Sequence, residues 1–299
     1  MTLKEVRQYL AQKIATLNDI AKKVNVPINN YDTFTKIINK STFDIAVVGE
    51  FTSGKSTLIN ALLGIDILPS LLEPTTARIT YITYSEAPKI ILNMKDGNHN
   101  IREFDINFLK KLIAENKSEV ESIESIEVMI NNPLLEDGIR IIDTPGTNET
   151  DEQRVKITYN ILPEADAVIY LTIHPVTSTN IQVLKEHIID NKIKNLFFVL
   201  NKIDLIGDQL EIAVKDSKSW FIEEYNQPLT DFYPLSALDY LEGIETNNED
   251  LINKSRFEHF KLSLINFLKS SKKYKNLQEQ YSAIFEGVKI QLIELLNIK

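Results

Sequence analysis

Apolar residues recur every three or four positions near the start of the chain, at Val6, Leu10, Ile14, Leu17, Ala21 and Val24, which predicts one amphipathic helix. Pro27 interrupts the stripe, and a second short helix is expected over 33–39. The pattern then changes. FDIAVV at 43–48 is a continuous apolar run, as a strand buried on both faces requires. Further strands are expected at 77–84, 89–94, 122–130, 139–142, 167–173, 196–200 and 231–235. Helices are expected at 55–63, 104–114, 152–162, 180–190 and 209–225. Strands alternating with helices predict an α/β fold with a mostly parallel central sheet. Beyond about residue 250 the chain reads as helix again, with a stripe at Leu277, Tyr281, Ile284, Val288, Leu292 and Leu295. Two amphipathic ends need cover for their apolar faces, and each can cover the other. The expected organisation is N-terminal helices (1–40), an α/β body (41–250) and C-terminal helices (251–299), the two ends forming one helical bundle.

Composition narrows this picture. The 299 residues are enough for a sizeable core, and 43% hydrophobic with 25% charged residues is ordinary for a globular protein. The absence of cysteine excludes disulfides, zinc ribbons and thiol catalysis. His99, His174, His187 and His259 are scattered, which does not suggest a metal cluster. Net charge is −9, but residues 1–40 and residues 261–299 each carry seven Lys/Arg against three Asp/Glu. The body is therefore strongly acidic, which speaks against nucleic acid as a partner. The basic ends suit an anionic membrane or acidic partner, or simply solvate a helix face. The N-terminus MTLKEVRQYL does not read as a signal peptide, and runs such as 165–173 are too short to span a bilayer. The expected location is cytoplasmic, with a peripheral position at the inner membrane face as an extension of it.

The chemistry sits in GEFTSGKSTLINALLG at 49–64, where Gly49, Gly54, Lys55 and Ser56 make a Walker A pattern between strand 43–48 and a helix. Backbone N–H groups of Gly49, Glu50, Phe51, Thr52, Ser53, Gly54, Lys55, Ser56 and Thr57, with the helix N-terminus, can cradle phosphates. Lys55 would neutralise the β- and γ-phosphates, and the Ser56 hydroxyl would bind Mg²⁺. Three elements follow in order. Asp143-Thr144-Pro145-Gly146 ends a strand: the Asp143 carboxylate can hold a Mg²⁺-bound water, and the Gly146 N–H can meet the γ-phosphate. Asn201-Lys202-Ile203-Asp204 reads guanine. Asp204 accepts from N1–H and the 2-amino group, a donor pair that adenine lacks. Asn201 fixes the loop, and the Lys202 stem covers the base. In Pro234-Leu235-Ser236-Ala237, the backbone N–H groups of Ser236 and Ala237 are placed to reach guanine O6. The ligand this series selects is GTP or GDP.

A threonine should close over Mg²⁺ and the γ-phosphate from the loop at 68–77. Thr76 is the candidate and Thr75 its competitor. The interval from Thr76 to Asp143 holds extra strands and a helix, so the core is enlarged by an insertion. GEFTSGKSTLINALLG, LPSLLEPTTARIT, IIDTPGTNE and FFVLNKID, together with LTIHPVTS at 171–178, resemble the dynamin superfamily, in particular bacterial dynamin-like proteins and more distantly mitofusins. The resemblance spans about residues 41–245.

It implies a dynamin-type P-loop GTPase domain beside neck helices, hydrolysis by in-line water attack, and homodimerisation through the nucleotide face that completes the site. It also implies a second dynamin-like protein as a further partner, and membrane remodelling by the full assembly. Catalytic duties would fall on Thr52, Lys55, Thr76 and Gly146, with Thr52 assisting the transition state alongside a monovalent cation, and Mg²⁺ held by Ser56, Thr76 and, through water, Asp143. Phe51 departs from the eukaryotic members, which have a water-placing Gln there; it either packs at the dimer face or leaves water placement to another group. The residue after Gly146 is Thr147, not the Gln of small GTPases. These departures keep open a second reading, a GTP-switched interaction module with negligible turnover. A ribosome-assembly GTPase is a third, disfavoured by the acidic body and the insertion. The last helix is still apolar at 293–298, which reads as a GTPase domain with its nearest helices out of a longer protein, a naturally short protein being the alternative. No lipid-binding paddle is recognisable in the chain.

Overall fold

A computed structural model describes residues 3–23, 42–69, 78–114, 122–146, 152–173, 195–225 and 231–270, with the single positions Glu286 and Ile290. The chain divides into two compact units, Met1–Phe43 with Asn266–Lys299, and Asp44–Ile265. In the first, helix α1 (Leu3–Lys23) buries Ile14, Leu17 and Ala21, three positions of the amphipathic stripe. The rings of Phe43 and Phe267 meet edge-on, centroids 6.0 Å apart. The expected helices at 33–39 and 180–190 and the stripe from Leu277 onward lie outside the described residues.

The second unit is built on a nine-stranded sheet in the order β4-β3-β5-β2-β6-β1-β7-β8-β9. Its strands are β1 (Phe43–Gly49), β2 (Ile79–Tyr84), β3 (Lys89–Met94), β4 (His99–Glu103), β5 (Ile123–Ile130), β6 (Ile139–Asp143), β7 (Ala167–Thr172), β8 (Leu196–Leu200) and β9 (Phe232–Pro234). The pairs β1–β7, β7–β8, β8–β9 and β2–β5 are parallel; β2–β6, β3–β4 and β3–β5 are antiparallel. The expected insertion is therefore real. Between β2 and β6 in sequence, β3, β4 and β5 extend one side of the sheet, together with helix α3 (Ile106–Ala114).

The remaining helices are α2 (Lys55–Leu63), α4 (Glu152–Ile161), α5 (Leu210–Tyr225), α6 (Ala237–Thr246), α7 (Glu249–Ser255) and α8 (Phe257–Ser270). The body runs past the expected limit at 250. Phe257, Phe260 and Leu264 of α8 are fully buried, and Phe260 packs against Phe197 and Tyr233 with centroids 6.3 and 5.3 Å apart. On the other side, Ala46, Val48, Val168, Tyr170, Phe198 and Leu200 pack with Leu162, Ala213 and Phe232, with Phe198 between the rings of Tyr170 and Phe232. Two elements are not among those expected from the sequence: α6, and β4, whose five residues are all exposed. Helix α3 starts at Ile106 rather than 104 because the Asp105 carboxylate accepts from the N–H groups of Asn107 and Phe108, an N-cap. No described helix is long and apolar enough to cross a membrane.

Candidate functional site

Strand β1, buried along its whole length, delivers the chain into the loop at its carboxyl end. Gly49 lies so close to β7 that a Cβ there would stand 2.4 Å from the Leu171 carbonyl oxygen, so only glycine fits. Residues Phe51–Ser53 make one 3₁₀ turn, and Gly54, at φ 89°, reverses the chain into α2. A side chain at Gly54 would meet the left-handed backbone penalty and would also stand 2.5 Å from Asn201 Nδ2.

The turn is held by the carbonyl oxygens of its own loop. Glu50 O accepts from Ser53 N–H at 3.1 Å, from Ser53 Oγ at 2.8 Å and from Lys55 Nζ at 2.9 Å. Lys55 is buried and also donates to Gly49 O at 3.0 Å. The ammonium is thus pinned at the mouth of the loop, where the α2 N-terminus adds its positive dipole end. Thr52 is exposed and Thr57 is half-buried on α2; of Phe51 only the backbone is described.

Asp143 ends β6 beside this loop. Its Oδ2 accepts a long bond from Ser56 Oγ at 3.4 Å, while its Oδ1 is buried without a hydrogen-bond partner. Burial pushes its carboxyl up to about 6, against the opposing pull of the Lys55 charge and the Ser56 hydroxyl. A buried orphan carboxylate oxygen beside a serine hydroxyl is a hard-oxygen donor set, which fits a divalent cation such as Mg²⁺. Two threonines not singled out in the sequence fix the loop that follows: Thr144 Oγ1 donates to Val47 O at 2.8 Å, and Thr158 Oγ1 of α4 donates to Pro145 O at 2.9 Å. Gly146 is buried at the end of the described stretch. Thr75 and Thr76 lie outside the described residues.

The third loop is joined to the first by Asn201. Its Nδ2 donates to Ser53 O at 2.8 Å, its Oδ1 accepts from Ala237 N–H at 3.1 Å, and its own N–H donates to Thr172 O at 2.8 Å. Lys202 adopts φ 59°, a left-handed conformation that turns the chain into the short turn Ile203–Leu205 and leaves Asp204 exposed. Ser236 caps α6 through its hydroxyl. The N–H groups of Ser236 and Ala237, expected to reach the base, bond here to Ser255 O at 2.9 Å and to Asn201 Oδ1 at 3.1 Å. Asp239, in the first turn of α6, has its carboxyl raised by burial and then by the charges of Asp204 and Glu242. That places its charge within reach of Asp204, a neighbour with no marker in the sequence.

The structure thus gathers Lys55, Ser56, Asp143, Gly54 and Asn201 at the carboxyl ends of the parallel strands, where open α/β sheets bind ligands. The sequence model of the dynamin family matches residues 45–203, more than half of the chain. The chain belongs to the dynamin family. It is 32% identical over 240 residues to an uncharacterised protein in the xynA 3′ region of Caldicellulosiruptor sp. (strain Rt8B.4), covering 79% of this chain and 59% of that protein. It is 32% identical over 162 residues to dynamin-like protein A of Bacillus subtilis (strain 168), covering 54% of this chain and 13% of that one. The chain therefore spans less than two thirds of either relative's length. Its fold is similar to a solved structure described as an oligomerised bacterial dynamin pair that provides a mechanism for the long-range sensing and tethering of membranes. The TM-score is 0.60, with 21% identity, 99% of this chain and 56% of that chain covered. The dynamin-family match takes in the phosphate loop, Asp143 to Gly146 and Asn201.

Proposed function

We propose that this dynamin-family chain binds GTP with Mg²⁺ and hydrolyses it to GDP and phosphate, and that the nucleotide cycle is coupled to dimerisation. The observation that carries the reading is the convergence of Lys55, Ser56 and Asp143, tied through Asn201 to the loop bearing Asp204. Lys55 exchanges its loop carbonyls for phosphate oxygens. Ser56 and Asp143, with Thr76, hold the Mg²⁺, whose charge offsets that developing on the phosphates when it is bound. Asp204 accepts from guanine, while Asn201 keeps its loop in register with the phosphate loop. Thr52, with a monovalent cation, is the candidate to stabilise the transition state.

Beside this site, Leu205 is 77% exposed and Leu238 is 50% exposed. Each follows a residue of the base-binding loops, and exposed apolar side chains rimming a polar site favour an interface with a second copy. The homodimer through the nucleotide face is the proposed partner, with a second dynamin-like protein as the further candidate. The grouping of both chain ends into one unit supports a neck bundle that the cycle moves. Membrane remodelling at a cytoplasmic, peripheral location belongs to the longer assembly.

The test is GTP turnover across a wide range of protein concentration, with ATP as the control nucleotide. Specific activity should rise with concentration, and ATP should be turned over at least about 100-fold less well. Strictly constant specific activity defeats the dimer mechanism. Tight GTP binding with turnover at the uncatalysed rate would instead establish the interaction-module reading, which Phe51 favours by offering no hydrogen bond to the water.

A further inference from the structure

Asn60 lies on α2, one turn beyond Ser56, and is buried at 1% exposure. Every hydrogen-bonding valence of its amide is used, and every partner lies in the short segment after the helix. Nδ2 donates to Asp66 Oδ1 at 2.8 Å and to Leu68 O at 2.8 Å. Oδ1 accepts from Ile67 N–H at 3.2 Å and from Leu68 N–H at 3.0 Å. Its backbone carbonyl accepts from the N–H groups of Gly64 and Ile65, closing the helix end. Asp66 is in turn paired with Lys110 of α3, at 2.5 Å. Ile67 and Leu68 are themselves buried at 1% exposure.

Helix α2 carries Lys55 and Ser56, and the chain that carries Thr75 and Thr76 leaves directly from Leu68 and Pro69. A fully satisfied buried amide is geometrically demanding, since losing one partner leaves the others desolvated and unpaired. A helix end can be closed with a glycine alone, and Gly64 already does so at φ 68°. Asn60 adds a rigid bracket between the phosphate-binding helix and the root of the following loop.

We propose that Asn60 is a positioning residue for γ-phosphate hydrolysis: through Asp66, Ile67 and Leu68 it sets the root of the segment bearing Thr75 and Thr76 relative to Ser56. The Asp66–Lys110 pair extends that bracket to the insertion, so that α3 is mechanically linked to the nucleotide site. This rests on the GTPase reading above. Binding of GDP depends on the phosphate loop and the Asn201–Asp204 loop, neither of which Asn60 touches in the bonds above, so the effect falls on turnover and not on GDP affinity.

The test measures kcat at saturating GTP and the affinity for a fluorescent GDP in the full chain, for wild type, Asn60→Ala, Asn60→Asp and the double variant Asn60→Asp/Asp66→Asn. The aspartate variant keeps the shape and supplies a second fold-competent protein if the alanine variant fails to fold. It loses both donors and faces Asp66 with like charge; the double variant restores a donor–acceptor pair. Each single variant should lose more than about fivefold in kcat with GDP affinity held within about threefold, and the double variant should regain most of that loss. A smaller loss of kcat, a matching loss of GDP affinity, or no rescue overturns the proposal. If wild type binds nucleotide without turning it over, the enzyme reading falls by itself, and hydrogen exchange at residues 66–69 decides this one. Protection that differs between a GTP analogue and GDP, and loses that difference in Asn60→Asp, supports it; protection unchanged by the substitution overturns it. A wild type that binds neither nucleotide overturns both.

Discussion

The two halves of the sheet do different work. β1, β7 and β8 run parallel and are buried almost residue for residue. β4, β3 and β5 are joined antiparallel: β3 alternates between buried and half-buried positions, and the edge strand β4 is exposed throughout. In a parallel group all carboxyl ends lie on one edge, so the loops after β1 and β8 leave from the same edge and can share one ligand. In an antiparallel group successive loops fall on opposite edges and cannot. The inserted half buries Ile90, Leu92, Ile126, Val128 and Leu109, yet none of the nucleotide-binding candidates lies in it. Its described links toward the site run to α2 and the segment after it: the buried bond from Asn132 Nδ2 to Leu63 O at 2.8 Å, and the exposed-side pair Lys110–Asp66, a kind of pair that contributes little by itself. Parallel pairing thus concentrates chemistry, while antiparallel extension adds sheet and surface.

The sharpest way to break this contrast is Lys55→Ala. GTP turnover should fall by more than about 100-fold, roughly 3 kcal/mol in the transition state, with the melting temperature little lowered. A loss of fold matching the loss of activity would show that the two roles are not separable in the parallel half. The counterpart in the inserted half is Ile90→Ala, which removes a fully buried side chain between β4 and β5. Denaturant unfolding should show a loss of about 2–4 kcal/mol, with GDP affinity of the folded fraction unchanged. A parallel drop in affinity would mean that the insertion shapes the site directly.

Asp143→Asn sharpens the comparison from the site's own side. The carboxyl is raised to about 6 by burial, so the folded chain holds a proton that the unfolded chain gives up near the ordinary value of 3.8. Below pH 3.8 both forms are protonated and the carboxyl contributes no difference. From there to about pH 6 stability falls as pH rises, and above about pH 6 the full penalty remains. Without Mg²⁺ the Asn variant should therefore be more stable at pH 7, on the order of 2–3 kcal/mol, and the gap should close toward pH 4. Mg²⁺ should stabilise the wild type at pH 7 and leave the variant unmoved. An Asn variant less stable than wild type in chelator at pH 7 would contradict the burial account.

Much of the site was legible because phosphate-loop chemistry is local. Gly49, Gly54, Lys55 and Ser56 lie in one strand–turn–helix unit whose spacing is set by backbone geometry, and Asp143 and Asn201 close strands whose apolar runs are plain. β4 was invisible because all five of its residues face solvent and show no alternation. Helix α6 is not among the expected helices, although Ser236 is a good N-cap. The sequence does not say which acceptors meet the amides of Ser236 and Ala237, because Ser255 O and Asn201 Oδ1 come from other segments. Asn60, Thr144 and Thr158 carry no sequence signal for the same reason: an Asn or Thr inside or beside an element looks ordinary until its partner is seen.

The chain by itself determined the alternation of strands and helices apart from β4 and α6, the phosphate loop, the presence of an insertion and the family, since each depends on short-range periodicity or on residues close together in sequence. Tertiary structure alone decided which amide meets which carbonyl, and it left Asp143 Oδ1 buried without a partner. It also joined Asn201 to Ser53 and Ala237, and Asn60 to Asp66 and Leu68. Such bonds depend on distances between segments far apart in sequence or on the exact path of a turn, and those follow from how the whole sheet packs.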